Sequence, residues 1–112
     1  MDSHSFTSSA SPDGLVLPDY DGACISGIVP ALLDPSSSWP AWIPEVAADA
    51  EQVVLLVLDG IGWNQMLDRR HLTPTLSAMA GGPITSVAPS TTATALTSIS
   101  TGVAPGLHGI MG

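Results

Sequence analysis

The sequence predicts an α/β protein in which a parallel sheet is flanked by helices. Residues 53–58 are apolar at every position, which is typical of a strand buried on both faces of a parallel sheet. A second, shorter strand is predicted over residues 84–88, and the residues between the two have helical patterns. The path from the first strand to the second is therefore a βαβ unit, for which a right-handed crossover is expected.

Two helices are predicted between the strands, over residues 63–70 and 74–80. In the first, apolar residues recur at i, i+3 and i+4, which gives the helix one buried face. The second begins at a proline and ends before two glycines, as helices commonly do. A third helix is predicted over residues 92–101, ending at Gly102, with a loop over residues 103–109. Because it consists mostly of Ala, Ser and Thr, this helix should lie close against the sheet.

The residues before the first strand divide into two parts. Residues 1–13 are rich in Ser, Thr, Asp and Pro and are predicted to be a disordered tail. Residues 14–52 are predicted to be a lead-in segment that packs on the core. Within it, the apolar residues 25–33 are expected to form an irregular segment or a short helix broken by Pro30. Two tryptophans are predicted to anchor the segment to the body of the fold: Trp39 and Trp42.

The charge of the chain excludes several classes of partner. Ten acidic residues stand against two arginines and no lysine, for a formal net charge of −8. A basic nucleic-acid-binding face is therefore not expected, and neither is binding to an anionic membrane. The longest strongly apolar run has six residues, far fewer than the roughly 20 that span a bilayer. We expect a cytoplasmic protein, and the sequence does not specify its oligomeric state.

The turn that precedes the third helix is the first candidate functional element. Pro89 favours an extended entry, and Ser90 or Thr91 is predicted to cap the helix with its hydroxyl group. Thr91 and Thr92 then lie beside the free N–H groups and the positive end of the helix dipole. Such a position suits a hydroxyl that binds or attacks a phosphate. The alternative is a Thr-rich buried helix with an ordinary hydroxyl cap.

A carboxylate is predicted to lie at the same edge of the sheet. Asp59 follows the first strand directly, and ligands of open α/β sheets bind at the carboxyl ends of the strands. The βαβ path places Asp59 and the turn with Thr91 and Thr92 at one edge, so a carboxylate and a hydroxyl should converge on one crevice. An aspartate that only forms a turn is the alternative.

Together, these motifs resemble the start of the type I phosphodiesterase/nucleotide pyrophosphatase branch of the alkaline phosphatase superfamily. The resemblance covers residues 53–112 and lies in these features: Val57-Leu58-Asp59-Gly60, Pro89-Ser90-Thr91-Thr92, Ser100-Thr101-Gly102, Pro105 and His108-Gly109-Ile110. It implies an alkaline-phosphatase-like parallel sheet flanked by helices, with Asp59 as a zinc ligand. It also implies that Thr92 is both nucleophile and zinc ligand, at a pair of divalent metal ions expected to be Zn²⁺. The implied substrate is a small-molecule phosphoester or nucleotide.

The chain departs from the family pattern in two ways. Ala95 stands where members often have an Asn that contacts a phosphoryl oxygen. Members are also several-fold longer, and most of their zinc ligands lie further along; His108 falls at a position that is structural in the family. The resemblance therefore implies an N-terminal fragment with an incomplete sheet, inactive and marginally folded by itself. Two alternatives remain: a phosphomonoesterase or phosphonate hydrolase of the same superfamily, and a noncatalytic anion-binding α/β fragment.

Overall fold

A computed structural model describes residues 14–34 and 38–112 of the chain. The predicted tail, residues 1–13, lies outside the described residues. Three short 3₁₀ helices occur in the described part, at Ile25–Gly27, Glu45–Ala47 and Arg70–Leu72. The α-helices of that part are α1 (Ile28–Leu33), α2 (Trp63–Asp68), α3 (Pro74–Ser77), α4 (Thr92–Thr101) and α5 (Pro105–His108).

Helix α4 is the central element, and its predicted bounds are confirmed. It packs against the 3₁₀ helix Ile25–Gly27, against α1 and against α5. Thr94 and Ser98 are fully buried on it, and both side chains are small enough for a close approach. The predicted close packing is confirmed, but the predicted partner is wrong: α4 lies on the helices of the lead-in segment rather than on a sheet.

Gly102 ends α4 in the left-handed conformation, as the sequence predicts. Its φ is +72°, and its N–H donates to the carbonyl of Ser98 at 2.9 Å. Pro30 of α1 lies directly against this glycine, so a Cβ atom there would stand 2.5 Å from the Pro30 Cγ. Two independent constraints therefore require glycine at this position: the left-handed backbone conformation and the close packing of α1.

Replacing Gly102 by alanine is expected to lower the free energy of unfolding by about 2–5 kcal/mol. The left-handed conformation costs a residue with a Cβ roughly 1–2 kcal/mol, and overpacking against Pro30 costs about 1–3 kcal/mol. Urea unfolding of the native protein measures the difference. Gly106→Ala is the matched control, because Gly106 lies within α5 with open space around it. Equal unfolding midpoints for the two variants would contradict the prediction.

The predicted strand over residues 53–58 does not form in the structure. These residues have no strand assignment, and their side chains are 41–91% exposed. The second predicted strand, residues 84–88, is reduced to a single parallel bridge between Thr85 and Cys24. Among the described residues no sheet joins the two predicted strands, so their βαβ unit is not seen. Apolar residues alone do not make a strand, because a strand also needs a partner for its backbone hydrogen bonds.

The lead-in segment forms part of the core and does not only pack on its outside. Cys24 and Val87 are the buried hydrophobic residues of the described part, one from each side of the bridge. The Thr85 N–H donates to the Ala23 carbonyl at 2.8 Å, and the Ile25 N–H donates to the Thr85 carbonyl at 3.0 Å. Residues 19–25 thus bond to Thr85, whereas the sequence predicted that residues 84–88 would share a sheet with residues 53–58.

Residues 25–33 are helical, so of the two predicted alternatives the helix is correct, but the predicted break at Pro30 is wrong. Pro30 does not break it, because it is the third residue of α1, within the first turn, where an N–H has no intrahelical partner. The ring of Trp42 packs on Gly27, so closely that a Cβ atom added to this glycine would stand 3.1 Å from the Trp42 Cζ2. The Trp39 indole N–H donates to the Ile43 carbonyl at 3.0 Å. Both contacts lie within the lead-in segment, so the predicted anchoring of this segment to the body of the fold by Trp39 and Trp42 stays a prediction.

The remaining helices differ from their predicted lengths. Helices α2 and α3 end earlier than predicted, at Asp68 and Ser77, and the 3₁₀ helix Arg70–Leu72 lies between them. The predicted loop over residues 103–109 contains α5, which begins at a proline and ends at Gly109 with φ of +76°. Of the helices in the described part of the chain, none combines the length and hydropathy needed to cross a lipid bilayer.

Candidate active site

The turn before α4 is held by the lead-in segment. The Ala88 N–H donates to the Tyr20 hydroxyl at 3.1 Å. Thr85, three residues earlier, is buried, and its hydroxyl accepts from the Asp19 N–H at 2.9 Å and donates to the Ala23 carbonyl at 3.0 Å. These contacts were not predicted from the sequence, because their partners are 62–68 residues apart and carry no local signal.

Thr91 is the N-cap residue of α4, but its side chain does not cap the helix. Its backbone is extended, with φ −67° and ψ 155°, and its carbonyl accepts the Ala95 N–H at 2.8 Å. Its hydroxyl instead donates to the Thr94 hydroxyl at 2.9 Å, and the Gly112 carbonyl is a second acceptor at 3.3 Å. The predicted hydroxyl cap by Ser90 or Thr91 is therefore wrong, because the Thr91 hydroxyl is engaged with a side chain of its own helix and with residue 112.

Thr92 is the first residue of α4 and is exposed. No hydrogen bond from its hydroxyl to another described residue is seen. The first N–H groups of the ten-residue helix point in the same direction as the positive end of its dipole. A hydroxyl in this position is open to a ligand, and the helix start attracts an anion.

An open groove of about 650 Å³ runs beside this helix start. We call it the helix-start groove, and its lining residues are Val16, Pro18 and residues 84–91. It therefore follows the chain from the parallel bridge to the residue before Thr92. The groove thus opens beside the beginning of α4, on the side of the lead-in segment.

Asp59 lies in a turn and is exposed, without the strand that was predicted to precede it. One carboxylate oxygen accepts the N–H of the next residue, Gly60, at 2.9 Å. Gly60 has φ of +81°, which suits a glycine in a tight turn. The side chain is thus free to bind a cation, apart from this one local bond.

The predicted convergence of Asp59 and Thr92 on one crevice is not seen in the described part of the chain. No hydrogen bond joins them, and Asp59 lines neither the helix-start groove nor a second groove of about 340 Å³ between α2 and α3. Their predicted convergence depended on residues 53–58 and 84–88 being adjacent or near-adjacent strands of one parallel sheet, and no such sheet is seen among the described residues.

The donor chemistry of the two residues fits a divalent cation, since zinc accepts carboxylate oxygens and deprotonated hydroxyls. Their number does not suffice, because catalytic zinc takes about three protein ligands. Within the described ranges, 14–34 and 38–112, no three His, Cys, Asp or Glu side chains lie close enough to hold a metal ion. The described residues therefore do not form a complete metal site.

A hydroxyl at the positive end of a helix, beside an open groove, suits the binding or transfer of an anionic group such as a phosphoryl group. The family model of type I phosphodiesterases/nucleotide pyrophosphatases matches residues 53–112, which is more than half of the chain, and the chain belongs to this family. The matched range contains both Asp59 and Thr92. Neither a curated protein nor a solved structure matches the chain.

Family membership has consequences for fold and activity. The family implies an alkaline-phosphatase-like α/β fold, phosphodiesterase or nucleotide pyrophosphatase hydrolysis, and a small-molecule phosphoester as substrate. The resemblance inferred from the sequence motifs is thereby confirmed, over the same residues. The parallel sheet of that fold is not formed by the described residues, apart from the bridge between Cys24 and Thr85.

Proposed function

We propose that the complete protein hydrolyses a phosphodiester or nucleotide pyrophosphate through a threonine nucleophile, Thr92. One observation carries the proposal: Thr92 is exposed at the first position of α4, within the residues that match the family. The neighbouring Thr91 is less suitable, because its hydroxyl is already bonded to Thr94 and lies near the Gly112 carbonyl. Of the two threonines at the helix start, only Thr92 has its hydroxyl open to a substrate among the described residues.

The proposed reaction has two steps. The Thr92 hydroxyl loses its proton as its oxygen forms a bond to phosphorus, and the opposite ester or anhydride P–O bond breaks. The leaving oxygen takes up a proton and departs as an alcohol or a nucleotide. Water then attacks the same phosphorus, the bond from phosphorus to the Thr92 oxygen breaks, the rest of the substrate leaves as a phosphomonoester or nucleotide, and the Thr92 oxygen regains its proton. Free N–H groups at the start of α4 are suitably placed to hold the negatively charged oxygens of the phosphoryl group during both steps.

Asp59 and Thr92 are proposed to supply two ligands of a dinuclear Zn²⁺ site, with the remaining ligands coming from other segments of the complete protein. Bound zinc lowers the pKa of a coordinated hydroxyl and stabilises the charge that develops on the transferred group. This part of the proposal is supported by the oxygen donors that the two residues present. The cytoplasmic location expected from the sequence stays a prediction.

Two other functions remain as alternatives, and the same experiment distinguishes them. A phosphomonoesterase or phosphonate hydrolase would use the same nucleophile on a substrate with one ester bond or none. A noncatalytic anion-binding module would use only the N–H groups at the start of α4. The uncapped start of that helix favours the second alternative as strongly as it favours anion binding by an enzyme.

The test is hydrolysis of two chromogenic esters by the native protein. We expect kcat/KM for bis(4-nitrophenyl) phosphate to exceed that for 4-nitrophenyl phosphate by about tenfold or more, because the site would select a diester through its second ester group. Dialysis against EDTA should abolish turnover, and added Zn²⁺ should restore it. A preference for the monoester would favour a phosphomonoesterase. Phosphate binding that EDTA leaves unchanged, without turnover of either ester, would favour the anion-binding module.

A further inference from the structure

Helices α4 and α5 are joined by a hydrogen bond between two side chains that the proposed chemistry does not use. The Ser98 hydroxyl oxygen lies 2.8 Å from His108 Nε2. Ser98 is fully buried in the middle of α4, and His108 is the last residue of α5. A serine so close to a histidine invites comparison with a nucleophile and its general base.

The other ring nitrogen excludes that role for this pair. His108 Nδ1 accepts the backbone N–H of Ile110 at 3.0 Å, so Nδ1 carries no proton. A neutral imidazole then carries its proton on Nε2, which must donate to the Ser98 oxygen. An imidazole that donates to a serine cannot take that serine's proton. The pair is therefore a structural connection with one defined tautomer.

Residues 109–112 follow this connection directly in the chain. Gly109 turns the chain after α5 with φ of +76°, and the Ile110 N–H that follows donates to the His108 ring. The chain then returns to the start of α4, where the Gly112 carbonyl lies 3.3 Å from the Thr91 hydroxyl. Residues 109–112 are thus attached at one end to the middle of α4 and at the other to its N-cap residue.

We propose that His108 is a positioning residue for the start of α4. Through its two ring nitrogens it holds residues 109–112 against Thr91, and Thr91 directly precedes Thr92 in the chain. The effect on catalysis rests on the proposed function of Thr92 as nucleophile. The effect on the geometry of the helix start does not.

The tautomer is tested first, by long-range ¹H–¹⁵N correlation NMR of the native protein. We expect a proton on Nε2 of His108 and none on Nδ1. A proton on Nδ1 would overturn the proposal, because the bond from Ile110 could not then exist. His71 is the matched control, since it is exposed and no side-chain hydrogen bond to it is seen among the described residues.

Two conservative variants test the two hydrogen bonds of the His108 ring separately. His108→Asn places an oxygen near the Nδ1 position and keeps the Ile110 bond, whereas His108→Gln reaches the Nε2 position and keeps the contact with Ser98. If both hydrogen bonds are needed, each variant should shift the amide NMR signals of Thr91 and Thr92. Each should also lower kcat by between about 10- and 100-fold with little change in KM, because small displacements at a reacting group are costly. His71→Asn should do neither.

A double-mutant cycle distinguishes positioning from a general loss of stability. Ser98→Ala removes the acceptor of the Nε2 proton, so Ser98→Ala combined with His108→Asn should lower kcat no further than either change alone. Fully additive losses, or unchanged Thr91 and Thr92 signals in every His108 variant, would overturn the proposal. If the native protein hydrolyses neither ester, the proposed function fails, while the tautomer and the amide signals still decide the role of His108.

Discussion

Thr92→Ala is expected to lower kcat for a phosphodiester by a factor of about 10³ or more. Removing a nucleophile removes the covalent path itself, and the residual rate then comes only from binding and charge stabilisation by the rest of the site. The helix should be unaffected, because Thr92 is exposed and alanine is a better helix former than threonine. Steady-state kinetics on bis(4-nitrophenyl) phosphate, with far-ultraviolet circular dichroism for the fold, measure both.

Two control variants make the Thr92 result specific. Thr92→Ser keeps a hydroxyl at the same position and should retain measurable turnover. Ser100→Ala removes an exposed hydroxyl near the other end of α4 and should leave kcat unchanged. Mass spectrometry of protein quenched during turnover should also find a phosphoryl or nucleotidyl group on the peptide that contains Thr92. Unchanged turnover in Thr92→Ala would show that the nucleophile lies elsewhere.

Asp59→Asn is expected to lower both the zinc content and the activity of the native protein, the activity by about 10²-fold or more. Even residues that only orient metal ligands cost 10–100-fold when they are replaced, so loss of a ligand should cost at least as much. The fold should survive, because the asparagine oxygen can still accept the Gly60 N–H that Asp59 accepts now. Atomic absorption of the dialysed protein and hydrolysis of the diester measure the two effects.

Asp68→Asn is the matched control for Asp59→Asn, since it also removes one exposed carboxylate and changes the net charge of the chain by the same amount. It should leave zinc content and kcat unchanged. A loss of activity in Asp59→Asn with full zinc content would assign Asp59 a role other than metal binding. Wild-type zinc content and wild-type kcat together would remove Asp59 from the site.

The parts of the fold that were predicted correctly depend on local signals. The bounds of α4 and its end at Gly102 follow from a glycine that can adopt the left-handed conformation and from the composition of ten consecutive residues. The resemblance to the family is of the same kind, because it lies in short motifs around Asp59, Thr92 and Gly102. The hydroxyl cap was predicted wrongly, although it too is local, because Thr94 and Gly112 compete for the Thr91 hydroxyl.

The sequence alone thus determined the helix that presents Thr92, the glycine that ends it, and the family to which the chain belongs. Only the tertiary structure decided that α4 packs on the lead-in segment, that Thr85 pairs with Cys24, and that Ser98 bonds to His108. The physical reason is that the hydrophobic effect is non-directional, so an apolar run such as residues 53–58 does not specify which segment of the chain it packs against. Pairing between distant segments is instead selected by the whole path of the chain, which brings particular donors and acceptors within reach of each other.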